Sequence, residues 1–188
     1  MTDNPPHATT DSGTDSLTDL ETLGVPTRLR EHREVRYVEH TETHADADHC
    51  RAHSQGMAVV GITAADGSVL VATHLEEPVA LLPNARLEDD EDWLTAAERA
   101  VETLTDDPID VGAPVLVREL EHVLGRGDTP HTTSFTVVFE ASPVAESTPD
   151  ELTARTTCTW EGAWIERVPD GCVGTPERPM ADMRLFLE

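Results

Sequence analysis

Short apolar runs rich in β-branched residues, separated by turn residues, constrain the fold of this chain more than any other feature. The most apolar run covers 57–63, and the pair Asp66-Gly67 separates it from a second run at 69–73. This arrangement predicts a β-hairpin, because glycine accepts the positive φ angle that a tight turn requires. Further strands are predicted at 33–39, 79–82, 109–124, 132–141 and 159–165.

One long stretch has the composition of a helix. Residues 93–105 contain good helix formers and neither glycine nor proline, and the acidic residues before them suit the positive end of a helix dipole. A short helix is predicted at 148–151, where proline follows a threonine cap, and a short apolar element at 183–187. Strands with one central helix indicate an α+β fold, or an α/β fold, with a mixed sheet packed between helices.

The chain divides into three regions by composition. Residues 1–24 are rich in Thr, Asp, Ser and Pro without periodicity, which predicts a disordered tail. Residues 25–55 are predicted to form a strand followed by a histidine-rich linker, and 56–188 to form the main domain. A length of 188 residues fits one such domain.

The charge balance excludes some classes of partner. The chain has 37 acidic and 13 basic residues, all of the latter arginine, and its formal net charge is −24. No basic stripe exists to neutralise phosphates, so nucleic acid and anionic membrane surfaces are not expected partners.

The acidity is typical either of disorder or of a halophilic surface of the archaeal type. Because acidic residues are spread between apolar segments, we favour the halophilic interpretation.

Location and redox state follow from two further features. No apolar run approaches the roughly 18–20 residues needed to span a bilayer, and the first residues lack the basic and apolar parts of a signal peptide. We therefore expect a cytoplasmic protein. The three cysteines, Cys50, Cys158 and Cys172, are an odd number at wide spacing, which does not predict a disulfide framework.

The segment 82–105 resembles the Nudix box, G-x5-E-x7-R-E-U-x-E-E-x-G-U, in which U is a bulky aliphatic residue. Aligning Glu91 with the first glutamate places Arg99 on the arginine and Val101 on the aliphatic position. The resemblance covers 56–188 and implies a Nudix-like fold. Members of this family usually hydrolyse nucleoside diphosphate-linked substrates with Mg²⁺ or Mn²⁺ held by glutamates of the box helix, and dimers are common among them.

The box is degenerate at the positions that carry the chemistry. Ala85 replaces the leading glycine, Ala100 the glutamate after the arginine, Thr103 and Leu104 the paired glutamates, and Asp106 the trailing glycine. Mg²⁺ requires hard oxygen ligands, and alanine and leucine side chains supply none. None of the metal-binding carboxylates of the box helix is in place, and Glu91 and Arg99 are the charged residues of the pattern that remain.

Helical geometry does not allow the other glutamates to replace the missing ones. At about 100° per residue, Glu98 and Glu102 lie roughly 160° from Ala100, on the solvated face. Ala100 and Leu104 belong to a largely apolar face. We expect Arg99 to pair with Glu91 or a loop carbonyl, and so to hold the loop against the helix.

These features leave three functions open. The first is a diverged Nudix-like protein that does not hydrolyse but binds a nucleotide-type small molecule or a protein partner. The second is an active Nudix-type hydrolase with metal ligands outside the box helix, for instance Glu88 or Glu91 with Glu140. The third is a metal-binding module built on a cluster of potential ligands, His40, His44, His49, Cys50 and His53.

Two smaller observations concern histidine and serine. His122 and His131 flank the turn at 125–128 and could face each other across a hairpin, although we favour ordinary strand residues over ligands at these positions. Neither Ser134 nor Ser54 lies in a nucleophile elbow between a strand and a helix, so the sequence predicts no catalytic triad.

Overall fold

The computed structural model describes residues 25–45, 56–125, 129–168 and 177–187. The tail predicted at 1–24 lies outside these residues. The strands are β1 (Arg36–His44), β2 (Met57–Ile62), β3 (Val69–His74), β4 (Ala80–Leu81), β5 (Asn84–Arg86), β6 (Ile109–Leu124), β7 (Pro130–Pro143) and β8 (Trp160–Ile165). The α-helices are α1 (Trp93–Glu102) and α2 (Glu177–Met183), and two 3-10 helices cover Pro26–Glu31 and Pro149–Glu151.

The strands of the described residues form two sheets. The larger has the order β1-β6-β7-β2-β5, and the smaller has the order β4-β3-β8. In the larger sheet β1–β6 and β2–β7 are parallel pairs, whereas β6–β7 and β2–β5 are antiparallel. The fold is thus α+β with a mixed sheet, which confirms the predicted class at that level.

The two faces of the larger sheet are covered by different helices. On one face, α1 buries its apolar side against Ala58, Val60 and Phe139. On the other face, Met183 at the end of α2 and Leu187 beyond it are buried with Val59 and Val138. Successive side chains of β2 and β7 point to opposite faces of the sheet, because side chains alternate along a strand. The apolar residues of these two strands are therefore buried on both faces.

Phe186, just beyond α2, lies so close to the sheet that β2 requires a glycine beneath it. A Cβ atom added at Gly61 would lie 2.2 Å from the ring of Phe186. This distance is far below van der Waals contact, so Gly61 admits the ring where an alanine would displace it.

The predicted hairpin between the first two apolar runs is wrong in its pairing, although its turn forms. Gly67 has a φ of +87°, and the Asp66 carboxylate accepts a hydrogen bond from the Ser68 amide at 2.9 Å. Beyond the single bridge between Thr63 and Val69, however, β2 and β3 separate into different sheets. Both strands are buried, and each has a neighbour on both edges within its own sheet.

Other predicted elements are present with small changes at their ends. The helix predicted at 93–105 ends at Glu102, and the strands predicted at 109–124 and 132–141 form the β6–β7 hairpin. The short helix predicted at 148–151 is a 3-10 turn, in which the Glu151 carboxylate accepts hydrogen bonds from the amide and the hydroxyl of Thr148 at 3.0 and 3.1 Å. No helix in the described parts of the chain is long and apolar enough to cross a bilayer.

Candidate functional site

The loop between β5 and α1 is tied to the helix by one arginine. The Glu91 carboxylate accepts hydrogen bonds from Nε and Nη2 of Arg99, at 2.9 and 2.7 Å, and from the amide of Glu88 at 2.9 Å. The same Nη2 of Arg99 donates to the carbonyl of Arg86 at 2.7 Å. Arg99 therefore pairs both with Glu91 and with a loop carbonyl, the two acceptors expected from the sequence. The hydrogen bonds from Arg99 lower the pKa of Glu91, so its carboxylate stays ionised.

The start of α1 is defined by Asp92. Its carboxylate accepts hydrogen bonds from the amide and the hydroxyl of Thr95, each at 2.9 Å, and so caps the helix. The apolar side of α1 faces the sheet, where Ala100 is fully buried, and Leu104 just after the helix is 3% exposed. Glu98 is exposed on the outer side, as the helical spacing predicts.

The surface that would hold a divalent cation in an active Nudix box does not fit one. Ala100 and Leu104 have no oxygen in their side chains, and the Thr103 hydroxyl donates to the Ala100 carbonyl at 2.6 Å. A magnesium ion needs carboxylate and water oxygens in octahedral positions. These three residues therefore offer no basis for Mg²⁺ or Mn²⁺ at the box helix.

A cavity of about 230 Å³ lies beside this same surface. Its walls come from the β4–β5 turn, the residues just after α1 and the start of β8, and the lining side chains are mainly apolar. Among the described residues that line it, none carries a carboxylate. They are Ala72, Leu81, Leu82, Pro83, Asn84, Thr103, Leu104, Thr157 and Trp160.

Two polar or aromatic side chains of the cavity are not predicted as site residues by the sequence. Asn84 donates from Nδ2 to the Leu82 carbonyl at 2.8 Å, which holds its amide at the turn. Trp160 meets the ring of His74 edge-on, with 4.9 Å between ring centroids. No local motif surrounds Trp160, and β8 brings it to the cavity by pairing with β3.

The carboxylates proposed as displaced metal ligands lie on different sides of the larger sheet. Glu140 pairs with Gly61, whose face is covered by Phe186 next to α2. Glu91 is bound to Arg99 of α1, which packs on the opposite face. The sheet therefore lies between Glu91 and Glu140, and this arrangement does not favour the two carboxylates as ligands of one ion.

A wider acidic opening of about 520 Å³ lies on the outer side of α1 and includes Glu98, Glu102 and Asp106. Arg155 occupies its rim. It donates from Nε to the Asp106 carboxylate at 2.9 Å and from Nη1 to the Glu102 carbonyl. A cation at the last carbonyls of a helix complements the helix dipole, so this arrangement holds the end of α1.

The structure describes only some of the histidines that the sequence groups together. His40 and His44 lie on β1, while His49, Cys50 and His53 lie outside the described residues. The expectation that His122 faces His131 is wrong, because His122 pairs with Thr132 in the hairpin register.

The ring of His122 instead contacts His44 and Ser134. Its Nδ1 lies 2.8 Å from Nε2 of His44, and its Nε2 lies 2.8 Å from the Ser134 hydroxyl. His44 and His122 are 78 positions apart in the chain. No spacing rule connects them, and only the parallel pairing of β1 with β6 brings them together.

Comparison with models of known protein families gives no match to this chain. Comparison with curated proteins gives no match either.

Proposed function

We propose that this chain is a Nudix-like binding protein that does not hydrolyse its ligand by the usual metal mechanism of that family. Three features support the resemblance to the Nudix family. They are the order of strand, loop and helix at 84–102, the two hydrogen bonds from Arg99 to Glu91, and a mixed sheet between α1 and α2. The ligand we propose is a nucleotide-type small molecule.

The observation that carries the proposal is the position of Leu104. It aligns with one of the paired glutamates of the box, is 3% exposed, and lines the cavity of about 230 Å³. A side chain that would coordinate a cation in an active relative is here part of an apolar wall. We infer that this cavity corresponds to the cleft of the resembled family, and its apolar lining suits binding rather than cation-assisted attack on a phosphate.

The cavity dimensions favour one part of such a ligand. Pockets that enclose drug-sized ligands measure about 300–1,000 Å³, so a cavity of about 230 Å³ holds a fragment such as a nucleobase. Trp160 supplies an aromatic surface, and Asn84 supplies an amide near the rim. Stacking of a base on an aromatic side chain contributes about 1–3 kcal/mol. The described residues that line the cavity include no arginine to hold a phosphate, so the base is the part of the ligand that the cavity suits.

The proposal is tested with ADP-ribose, dinucleoside polyphosphates and nucleoside triphosphates in multimolar KCl. Each compound is assayed for phosphate release with Mg²⁺ or Mn²⁺ against an EDTA blank, and for a shift in the thermal unfolding midpoint. We expect no metal-dependent release, and stabilisation by at least one compound. In Trp160→Ala the affinity should fall about tenfold or more. Glu98→Gln, on the outer side of α1, should bind as the unmodified protein does.

Two results would contradict this function. Metal-dependent turnover would show an active hydrolase whose ligands lie elsewhere, and Glu88 and Glu91 would then be the first residues to replace. Folded protein that no compound of the panel stabilises would remove the nucleotide-type ligand from the proposal.

A further inference from the structure

Three potential metal ligands converge between β1 and β6, and none of them lines the cavity described above. Glu42 lies directly opposite His122 in the parallel register, and His44 is two residues further along β1. Side chains two apart on a strand point to the same face, so all three project from one face of the sheet. Their ligand atoms all lie within 4.8 Å of one another.

The distances between these atoms are close to those of a tetrahedral metal site. Nε2 of His44 lies 2.8 Å from Nδ1 of His122 and 3.8 Å from a carboxylate oxygen of Glu42. Ligands at 2.0–2.1 Å from a tetrahedral zinc ion are separated by about 3.3 Å. The two observed distances lie on either side of this value, and the ligand atoms of Glu42 and His122 lie within 4.8 Å of each other, so side-chain shifts on the order of an ångström would accommodate the ion.

Ser134 orients one of the ligands from outside the group. Its hydroxyl lies 2.8 Å from Nε2 of His122, which directs Nδ1 of that ring toward His44 and Glu42. A histidine ligand usually has its other ring nitrogen engaged in this way, because the second contact sets the tautomer and the ring orientation.

The three side chains differ in burial, with His122 the most buried and Glu42 the most exposed. His122 is 2% exposed, the side chain of His44 is 12% exposed, and that of Glu42 is 34% exposed. An ion can therefore approach from the Glu42 side, while the two imidazoles lie in a region of lower solvent access that strengthens coordination.

We propose that Glu42, His44 and His122 bind a Zn²⁺ ion, with water in the fourth position. Two imidazoles and one carboxylate match zinc and similar first-row cations, whereas Mg²⁺ prefers oxygen ligands alone. The ion would join β1, an edge strand, to β6 and stabilise that edge of the sheet. This site does not depend on the proposed function, because it shares no residue with the cavity.

The test uses the full chain, stripped with a chelator and then dialysed. Zn²⁺ content is measured by elemental analysis after reloading, and Co²⁺ is titrated as a spectroscopic probe whose visible bands report coordination geometry. We expect one ion per chain, tetrahedral Co²⁺ bands, and a higher thermal unfolding midpoint with Zn²⁺ than with EDTA.

Variants distinguish this site from metal binding elsewhere. His44→Ala should weaken Co²⁺ binding by about 100-fold or more, and Ser134→Ala by about tenfold through loss of ring orientation. His40→Ala, an exposed histidine on the same strand, is the matched control and should bind normally. Because His122 is buried and its replacement affects folding, Glu42→Gln serves as the second ligand variant, and it should also weaken binding.

Two outcomes would overturn the proposal. One is folded protein that takes up neither Zn²⁺ nor Co²⁺ at a stoichiometry near one. The other is binding that persists unchanged in both His44→Ala and Glu42→Gln, which would locate the ion at other ligands of the chain.

Discussion

The fold strongly raises the pKa of Tyr37 on β1. Partial burial of the phenol, together with its hydrogen bond to the Glu119 carboxylate, raises the pKa of Tyr37 to about 12. Arg30 lies over the ring, with 4.9 Å between the guanidinium carbon and the ring centroid, and donates to Glu119 at 2.9 Å. The phenol therefore belongs to a small charged network between the first 3-10 helix, β1 and β6.

Tyr37 is the only tyrosine in the chain, so its titration can be observed directly. We expect phenolate absorbance of the folded protein to rise with a midpoint near pH 12, and that of the unfolded protein with a midpoint near the ordinary value of about 10. Because the folded state favours the neutral phenol, this contribution to stability is complete below about pH 10 and is lost as the pH rises through about 12.

Tyr37→Phe is the control for that titration. It should remove the absorbance change and weaken the dependence of the unfolding free energy on pH in the same range. A midpoint near 10 in protein that circular dichroism shows to be folded would contradict the expected shift.

At the scale of elements, α2 is attached to the sheet by a buried ion pair. Arg118 on β6 donates from Nη2 to the Asp182 carboxylate at 2.6 Å, and both side chains are 9% exposed. The residues lie 64 positions apart, so the pair connects the C-terminal helix to the long β6–β7 hairpin.

Replacing Asp182 by asparagine should lower the free energy of unfolding by about 3 kcal/mol or more. The cause is the guanidinium of Arg118, which would stay buried without a compensating charge. Denaturant unfolding measures the effect, and Glu98→Gln on an exposed helix face should change stability by less than about 0.5 kcal/mol. The double variant Arg118→Met with Asp182→Leu should recover much of the loss, because it buries no charge. A loss as small as that of Glu98→Gln would show that the pair does not stabilise α2.

At the scale of the whole molecule, the net charge of −24 opposes compactness. Exposed acidic residues occur on the outer side of α1 and in the loop before it, including Glu98, Asp89 and Asp90. Repulsion among such charges decreases with ionic strength, since the screening length is about 10 Å at 0.1 M salt and about 3 Å at 1 M.

We therefore expect the thermal unfolding midpoint to rise between about 0.1 M and multimolar KCl, which tests the halophilic interpretation. A non-ionic osmolyte such as sucrose at matched osmolality is the control, because it does not screen charge. Equal midpoints at low and high KCl would contradict the interpretation.

The local pattern of the sequence by itself determines many elements of this protein. The short apolar runs between turn residues predict the strands, and the absence of glycine and proline at 93–105 predicts α1. The spacing within that helix also predicts which side carries Ala100 and which carries Glu98. Glu91 and Arg99 are eight positions apart, close enough in the chain for their pairing to be predicted. Each of these features depends on interactions within a few helical turns or along one strand.

The tertiary structure alone decides how the strands are distributed and which distant side chains meet. β2 and β3 share a turn but join different sheets, because β2 pairs with β7 and β3 pairs with β8, and both partners lie far along the chain. The same long-range pairing brings Trp160 to the cavity beside Leu104 and His44 to His122. Strand partners are selected by burial of whole faces, which depends on all the strands together, so no local pattern contains this information.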